Sequence, residues 1–193
     1  MAQVTYDGNG AVTGADGNTF TNFTVPAGND RVLIVGQHFR TATGVTYNGM
    51  AMTSAVGAIT TGTNEIRIWY LPLGSGGAIG PADIVFSGVV GGGGLIFRIT
   101  AANFQGVDQA TVFANPMTYQ VTSNSSSIMI NSLNTNNLIV DATIHSTVTT
   151  STPAHLSIVD ATAGGLARAL VERLIWIGLL ALHPSLPMWL LSC

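Results

Sequence analysis

Glu65-Ile66-Arg67-Ile68-Trp69-Tyr70-Leu71-Pro72-Leu73 decides the fold. Taken with a period of two, Ile66, Ile68 and Tyr70 share one face, and Glu65, Arg67 and Trp69 share the other. That alternation marks a half-buried antiparallel strand, whereas a helix needs apolar positions three and four apart. Pro72 lacks a ladder donor and is expected to end the strand. In this phase Ile68 faces a core. Trp69 points outward beside Arg67, placed either to stack on a sugar or, the commoner fate of such a ring, to pack under a second sheet or at a subunit contact.

Outward from this stretch the text keeps the same style. Arg31-Val32-Leu33-Ile34-Val35-Gly36 is apolar on both faces, as in a central strand covered on both sides. It is expected beside 65–71 in the core. Phe20 to Val25 alternates, Tyr47-Asn48-Gly49-Met50 carries the Asn-Gly hairpin signal, and Leu95-Ile96-Phe97-Arg98-Ile99 alternates again. Further strands are expected over 119–122, 128–130 and 138–144. Turn signals recur at short intervals between them: Asp7-Gly8-Asn9-Gly10, Pro26-Ala27-Gly28-Asn29-Asp30, Gly74-Ser75-Gly76-Gly77 and Ser123-Asn124-Ser125. Short strands punctuated this way predict an all-β fold, a two-sheet antiparallel β-sandwich of jelly-roll type, over residues 1–162.

The composition agrees with a folded, unusual surface. Of 193 residues, 47% are hydrophobic and only 8% charged, where about 25% is ordinary. Lysine is absent, all six basic residues are arginine, and the net charge is −3. Thr, Asn, Ser and Gly supply the polarity. Without a basic cluster, nucleic-acid binding is not expected. The one cysteine is Cys193, so no internal disulfide exists. The start Met-Ala-Gln-Val-Thr-Tyr-Asp-Gly has neither the basic nor the apolar region of a secretory signal.

Constellations for chemistry are poor. The oxygen-rich Asp7–Asn18 stretch invites a calcium reading, but Ala11 stands where a ligand is needed and no Glu follows at the twelfth position, so turns are the better reading. The glycines 91–94 lack the Lys and Ser/Thr of a phosphate loop. His38, His145, His155 and His183 have no metal spacing, and no serine sits in a nucleophile elbow. Neither a catalytic residue, a metal site nor a cofactor is expected.

From Ala163 the style changes to Leu-rich sequence nearly free of Thr and Asn. Leu166, Leu170, Leu174 and Ile177 fall at helical spacing, which predicts a short C-terminal helix within an apolar tail, 163–193. The run 174–182 is too short to span a bilayer, which takes about 20 residues. Trp176, Leu179, Leu180, Met188, Trp189 and Leu190 are too much apolar surface for a monomer to expose and are the expected assembly contact. Residues 173–193 also admit codons that, in a shifted reading frame, spell a strand–turn–strand text; the coding nucleotides decide that point.

Five stretches carry a resemblance: Asn29-Asp30-Arg31-Val32-Leu33-Ile34-Val35, Val45-Thr46-Tyr47-Asn48-Gly49, Ile68-Trp69-Tyr70-Leu71, Gly106-Val107-Asp108-Gln109 and Asn137-Leu138-Ile139-Val140-Asp141. Together they make residues 18–162 resemble the Gly/Thr-rich β-sandwich modules of bacteriophage structural proteins and of secreted bacterial surface proteins. The resemblance implies a fold and no catalytic residue. With the low charge it gives the expected function: a non-enzymatic virion structural protein, a capsid decoration (cement) or tail component, forming homo-oligomers and contacting other virion proteins. The alternative is a secreted carbohydrate-binding or adhesive module, located outside the cell, with Trp69 as its platform.

Overall fold

The structure is a computed structural model that describes residues 4–13, 18–61, 64–90, 97–113, 116, 126–128, 139–144, 151–152, 156–162, 171–177 and 190–192. In chain order the strands are β1 (Thr5–Thr13), β2 (Thr19–Val25), β3 (Gly28–His38), β4 (Gly44–Tyr47), β5 (Met50–Ala51), β6 (Thr53–Ser54), β7 (Ile59–Thr61), β8 (Asn64–Gly76), β9 (Ile79–Ser87) and β10 (Arg98–Gln105). They continue as β11 (Ser126–Ile128), β12 (Ile139–Ile144), β13 (Ser151–Thr152), β14 (Leu156–Thr162), β15 (Val171–Ile177) and β16 (Leu190–Ser192).

Two antiparallel sheets make the sandwich. Sheet A has the order β1-β10-β3-β8-β6 with β7 also on β8, and sheet B has the order β2-β9-β4-β5. The β2–β3 arm crosses from B to A, and the β8–β9 arm returns beside it, as in a jelly roll. The two central stretches named from sequence are neighbours in register, Leu33 opposite Leu71, Val35 opposite Trp69 and Gly36 opposite Ile68.

Between the sheets lie Val25, Leu33, Val35, Val45, Tyr47, Trp69, Leu71, Ile84, Phe86, Phe97 and Ile99. Phe86 and Phe97 meet edge to face across the gap, ring centres 5.0 Å apart. Each such large side chain removed from water contributes about 1.5–3 kcal/mol. The other face of sheet A is buried too, in a second cluster of Val32, Ile34, Ala102 and Phe104 with Tyr6, Ile68, Tyr70 and Phe113 against it. The reading of 31–36 as a strand covered on both sides is therefore what is seen.

Val107, Val112 and Phe113, after β10, supply part of that second cover, and a third sheet has the order β12-β15-β14. β12 comes close to β8 and β14 to β1. The helix expected in the tail is not what Val171–Ile177 forms: it is the middle strand, with Ile175 opposite both Asp141 and Ser157. Val171, Ile175 and Ile177 are β-branched, and pairing on both sides outweighs the helical spacing of the leucines. The boundary at 162/163 thus cuts through one sheet.

Two smaller expectations change. Pro72 does not end its strand, because β8 continues to Gly76 with Pro72 opposite Val32. At that point β8 has lost its β6 neighbour and is an edge, where proline is tolerated. Asp7-Gly8-Asn9-Gly10 is a bulge inside β1, between Tyr6 and Gly10, and not a turn between strands. The glycines 91–94 and the strand expected over 119–122 lie outside the described residues.

Gly80 is where the β8–β9 arm permits no other residue. Its φ is +104°, and a Cβ would stand 2.6 Å from the Phe23 carbonyl and 2.9 Å from the Ala82 nitrogen, both backbone atoms that cannot yield. Gly80→Ala is expected to cost about 1–3 kcal/mol. At about 2–4 °C per kcal/mol for a chain of this size, thermal melting should show a drop of several degrees.

Candidate functional site

The polar side chains that the sandwich buries gather at its two ends. At the start of β3, Arg31 is only 2% exposed and has no acidic partner among the described residues. Its guanidinium instead binds backbone carbonyls: Nε donates to Gly74, Nη1 to Pro26 and Gly77, and Nη2 more weakly to Leu73. One planar fork thereby ties the β2–β3 turn to the β8–β9 turn. Tyr47 closes the same end, its hydroxyl 3.1 Å from the Phe23 carbonyl and 2.8 Å from that of Ile79. Burial pushes the phenol's pKa up.

The sequence after β10 joins this knot. Gly106 N–H donates to Asn29 O and Val107 N–H to Asp30 O, both at 3.0 Å. Gln109 accepts from Gly74 N–H at 2.9 Å and donates to Val107 O. Asp30, at φ +48°, exchanges hydrogen bonds with Ser75, and Asp108 caps Ala110 and Thr111. Two stretches that carried the resemblance, 29–35 and 106–109, are thus one hydrogen-bonded structure.

At the other end of β3, Gln37 is fully buried and reaches three partners. Its Nε2 donates to Glu65 Oε1 at 2.8 Å and to Arg40 O at 2.6 Å, while its Oε1 accepts from Trp69 Nε1 at 2.8 Å. Arg67 Nε stands 3.0 Å from the same Glu65 oxygen, as an ion pair without hydrogen-bond alignment, and its guanidinium lies 5.1 Å from the Trp69 ring centre. Phe39 leaves the strand at φ +80° with its N–H on Glu65 O. A buried carboxylate held by an amide and a guanidinium fixes strands.

Trp69 is therefore not a platform for sugars. It is 5% exposed, packed beneath sheet B with its indole N–H committed to Gln37. Of the assembly residues, Trp176 sits in β15 opposite Val140 and Leu156, and Leu190 in β16 opposite Ile128. Leu179, Leu180, Met188 and Trp189 lie outside the described residues. What sequence reasoning missed was Gln37 and Arg31 as the hubs of two networks. Arginine or glutamine inside an apolar run was the available signal, since such groups stay buried only when satisfied.

The outward face of sheet B bears an open depression of about 380 Å³ lined by Thr46, Asn48, Gly49, Pro81, Ala82, Asp83 and Val85. Its single carboxylate, Asp83, accepts from Asn22 N–H. Among the described residues no group of His, Cys, Asp and Glu has the arrangement of a metal site, and no helix is long and apolar enough to cross a membrane. Compared with known protein families, with curated proteins and with solved structures, the chain shows no significant match.

Proposed function

We propose that the chain is a non-enzymatic virion structural protein, a capsid decoration or tail component that acts by contacts with further copies and with other virion proteins. The observation that carries this reading is the commitment of the buried polar groups. Arg31, Tyr47, Gln37, Glu65 and Trp69 each hold backbone or one another, so both ends of the sandwich are built as braces. The nearly uncharged, Thr-rich composition fits a surface that meets neighbouring subunits, and fold by itself does not select a function. The test is density-gradient fractionation of the native source followed by light scattering of the purified chain. Co-migration with a particle, or a mass above one chain at micromolar concentration, is the expected result. A monomer absent from every particle fraction refutes the proposal.

A further inference from the structure

The chain has two Asn-Gly steps, Asn9-Gly10 and Asn48-Gly49, and the fold treats them differently. Asn48 and Gly49 are the two residues of the β4–β5 turn, closed by the pairing of Tyr47 with Met50. Their φ values of +50° and +75° are those of a primed hairpin turn. Both residues are exposed. Among the described residues the Asn48 carboxamide and the Gly49 N–H have no hydrogen-bond partner, and Asn48 is tethered through its backbone N–H, 3.4 Å from Asp83 O. Nothing stands within 4 Å of the place a Gly49 Cβ would take. Asn9-Gly10 lies instead inside β1, with Gly10 paired to Ala102.

We propose that Asn48 is a self-modifying site, which the Gly49 backbone nitrogen converts to aspartate and isoaspartate. The nitrogen gives its proton to solvent base and attacks Asn48 Cγ. A Cγ–N bond forms, and the side-chain nitrogen takes up a proton and leaves as ammonia. Water then opens the cyclic imide. Attack at Cγ restores the chain as aspartate, and attack at the Asn48 backbone carbonyl carbon routes the chain through the side chain as isoaspartate. The sum is carboxamide plus water giving carboxylate plus ammonium. Asn48 must leave its left-handed conformation for the attack, so the turn has to swing. Here that swing disturbs only β5, two residues at the edge of sheet B. In β1, nine residues along β10, it must break ladder bonds, and losing two of them slows the reaction by about tenfold or more. The product alters the depression on the outward face of sheet B, which Asn48 and Asp83 both line. Aspartate gives it a second carboxylate, and isoaspartate lengthens the turn by one backbone atom and loosens the Tyr47–Met50 pair. That face therefore gains charge with age, and faster as pH rises, because the attacking nitrogen must lose its proton.

The test is incubation of the full chain in mildly alkaline buffer, folded and in denaturant, with peptide mapping by mass spectrometry over time. In the folded chain the peptide containing Asn48 should gain the mass of an amide-to-acid change and split into two chromatographic forms. The peptide containing Asn9 should lag by about tenfold or more. In denaturant that difference should collapse, since both steps are Asn-Gly. A folded chain in which Asn9 reacts as fast as Asn48, or in which Asn48 stays intact while both sites react in denaturant, overturns the proposal. Gly49→Ala, whose methyl crowds the attacking nitrogen, should slow the change at Asn48 and leave that at Asn9 as it was; an unchanged rate at Asn48 in the folded variant also overturns it. If that variant does not fold, the comparison of folded and unfolded wild type decides.

Discussion

Arg31→Met should lower the melting temperature by roughly 10 °C, at about 2–4 °C per kcal/mol for this size of chain. The methionine keeps the apolar stem and removes the fork. Three well-made bonds to carbonyls are lost, those to Gly74, Pro26 and Gly77. Hydrogen bonds to a charged group are worth about 1.5–3 kcal/mol each. Relief from burying an unpaired cation returns part of that, which leaves a net cost on the order of 4 kcal/mol, a large share of the about 5–15 kcal/mol that ordinarily separates folded from unfolded. Arg31→Lys should fall between, because an ammonium is a point donor that cannot copy the planar fork. Denaturant titration of the three proteins checks the order. A Met variant within about 1 kcal/mol of wild type would mean that water replaces the fork at no cost, and that the knot at this end is not a brace.

The second large effect is at Trp69. Truncating a buried tryptophan to alanine costs about 3–5 kcal/mol. Here it also strands Gln37 Oε1, which accepts the indole N–H at 2.8 Å. Trp69→Phe refills most of the space and isolates the second loss, about 1–3 kcal/mol for an unsatisfied buried acceptor. Unfolding free energies should therefore rank wild type above Trp69→Phe above Trp69→Ala. If phenylalanine equals wild type, the Gln37 bridge contributes nothing net.

Much of the sandwich was legible because burial on both faces writes itself into an apolar run. Residues 31–36 said so directly. The Glu65–Tyr70 alternation misled about phase for a specific reason. It presumes one wet face, and Trp69 was placed there with its charged neighbours. In the structure Glu65 is buried, accepts from Gln37 and pairs ionically with the half-buried Arg67, and Trp69 lies between the sheets, so the polar side of the alternation is the side that faces sheet B. The tail was misread because leucine spacing is local, whereas the strand identity of Val171–Ile177 is set by Ile139–Ile144 and Leu156–Thr162 on either side. Lysine, a common guard of sheet edges, is absent from this chain, and the edges are protected in another way. β1 and β2 are interrupted by bulges, with Asn22 at φ +60°, and β5 and β6 are two residues each. Such edges resist further pairing through shape rather than charge.

The pairing of β1 with β10 places Thr5 opposite Gln105. On the ribosome, the first strand emerges long before its partner exists. At a synthesis rate of about 5–20 residues per second, it waits roughly 5–20 s for residues 98–105. Through that interval β3 also lacks β10, and its apolar run stays open to neighbouring nascent chains. A sheet whose first strand closes on its last should fold slowly after release, and its yield should fall as expression is driven harder. Cooler, slower production should recover soluble chain.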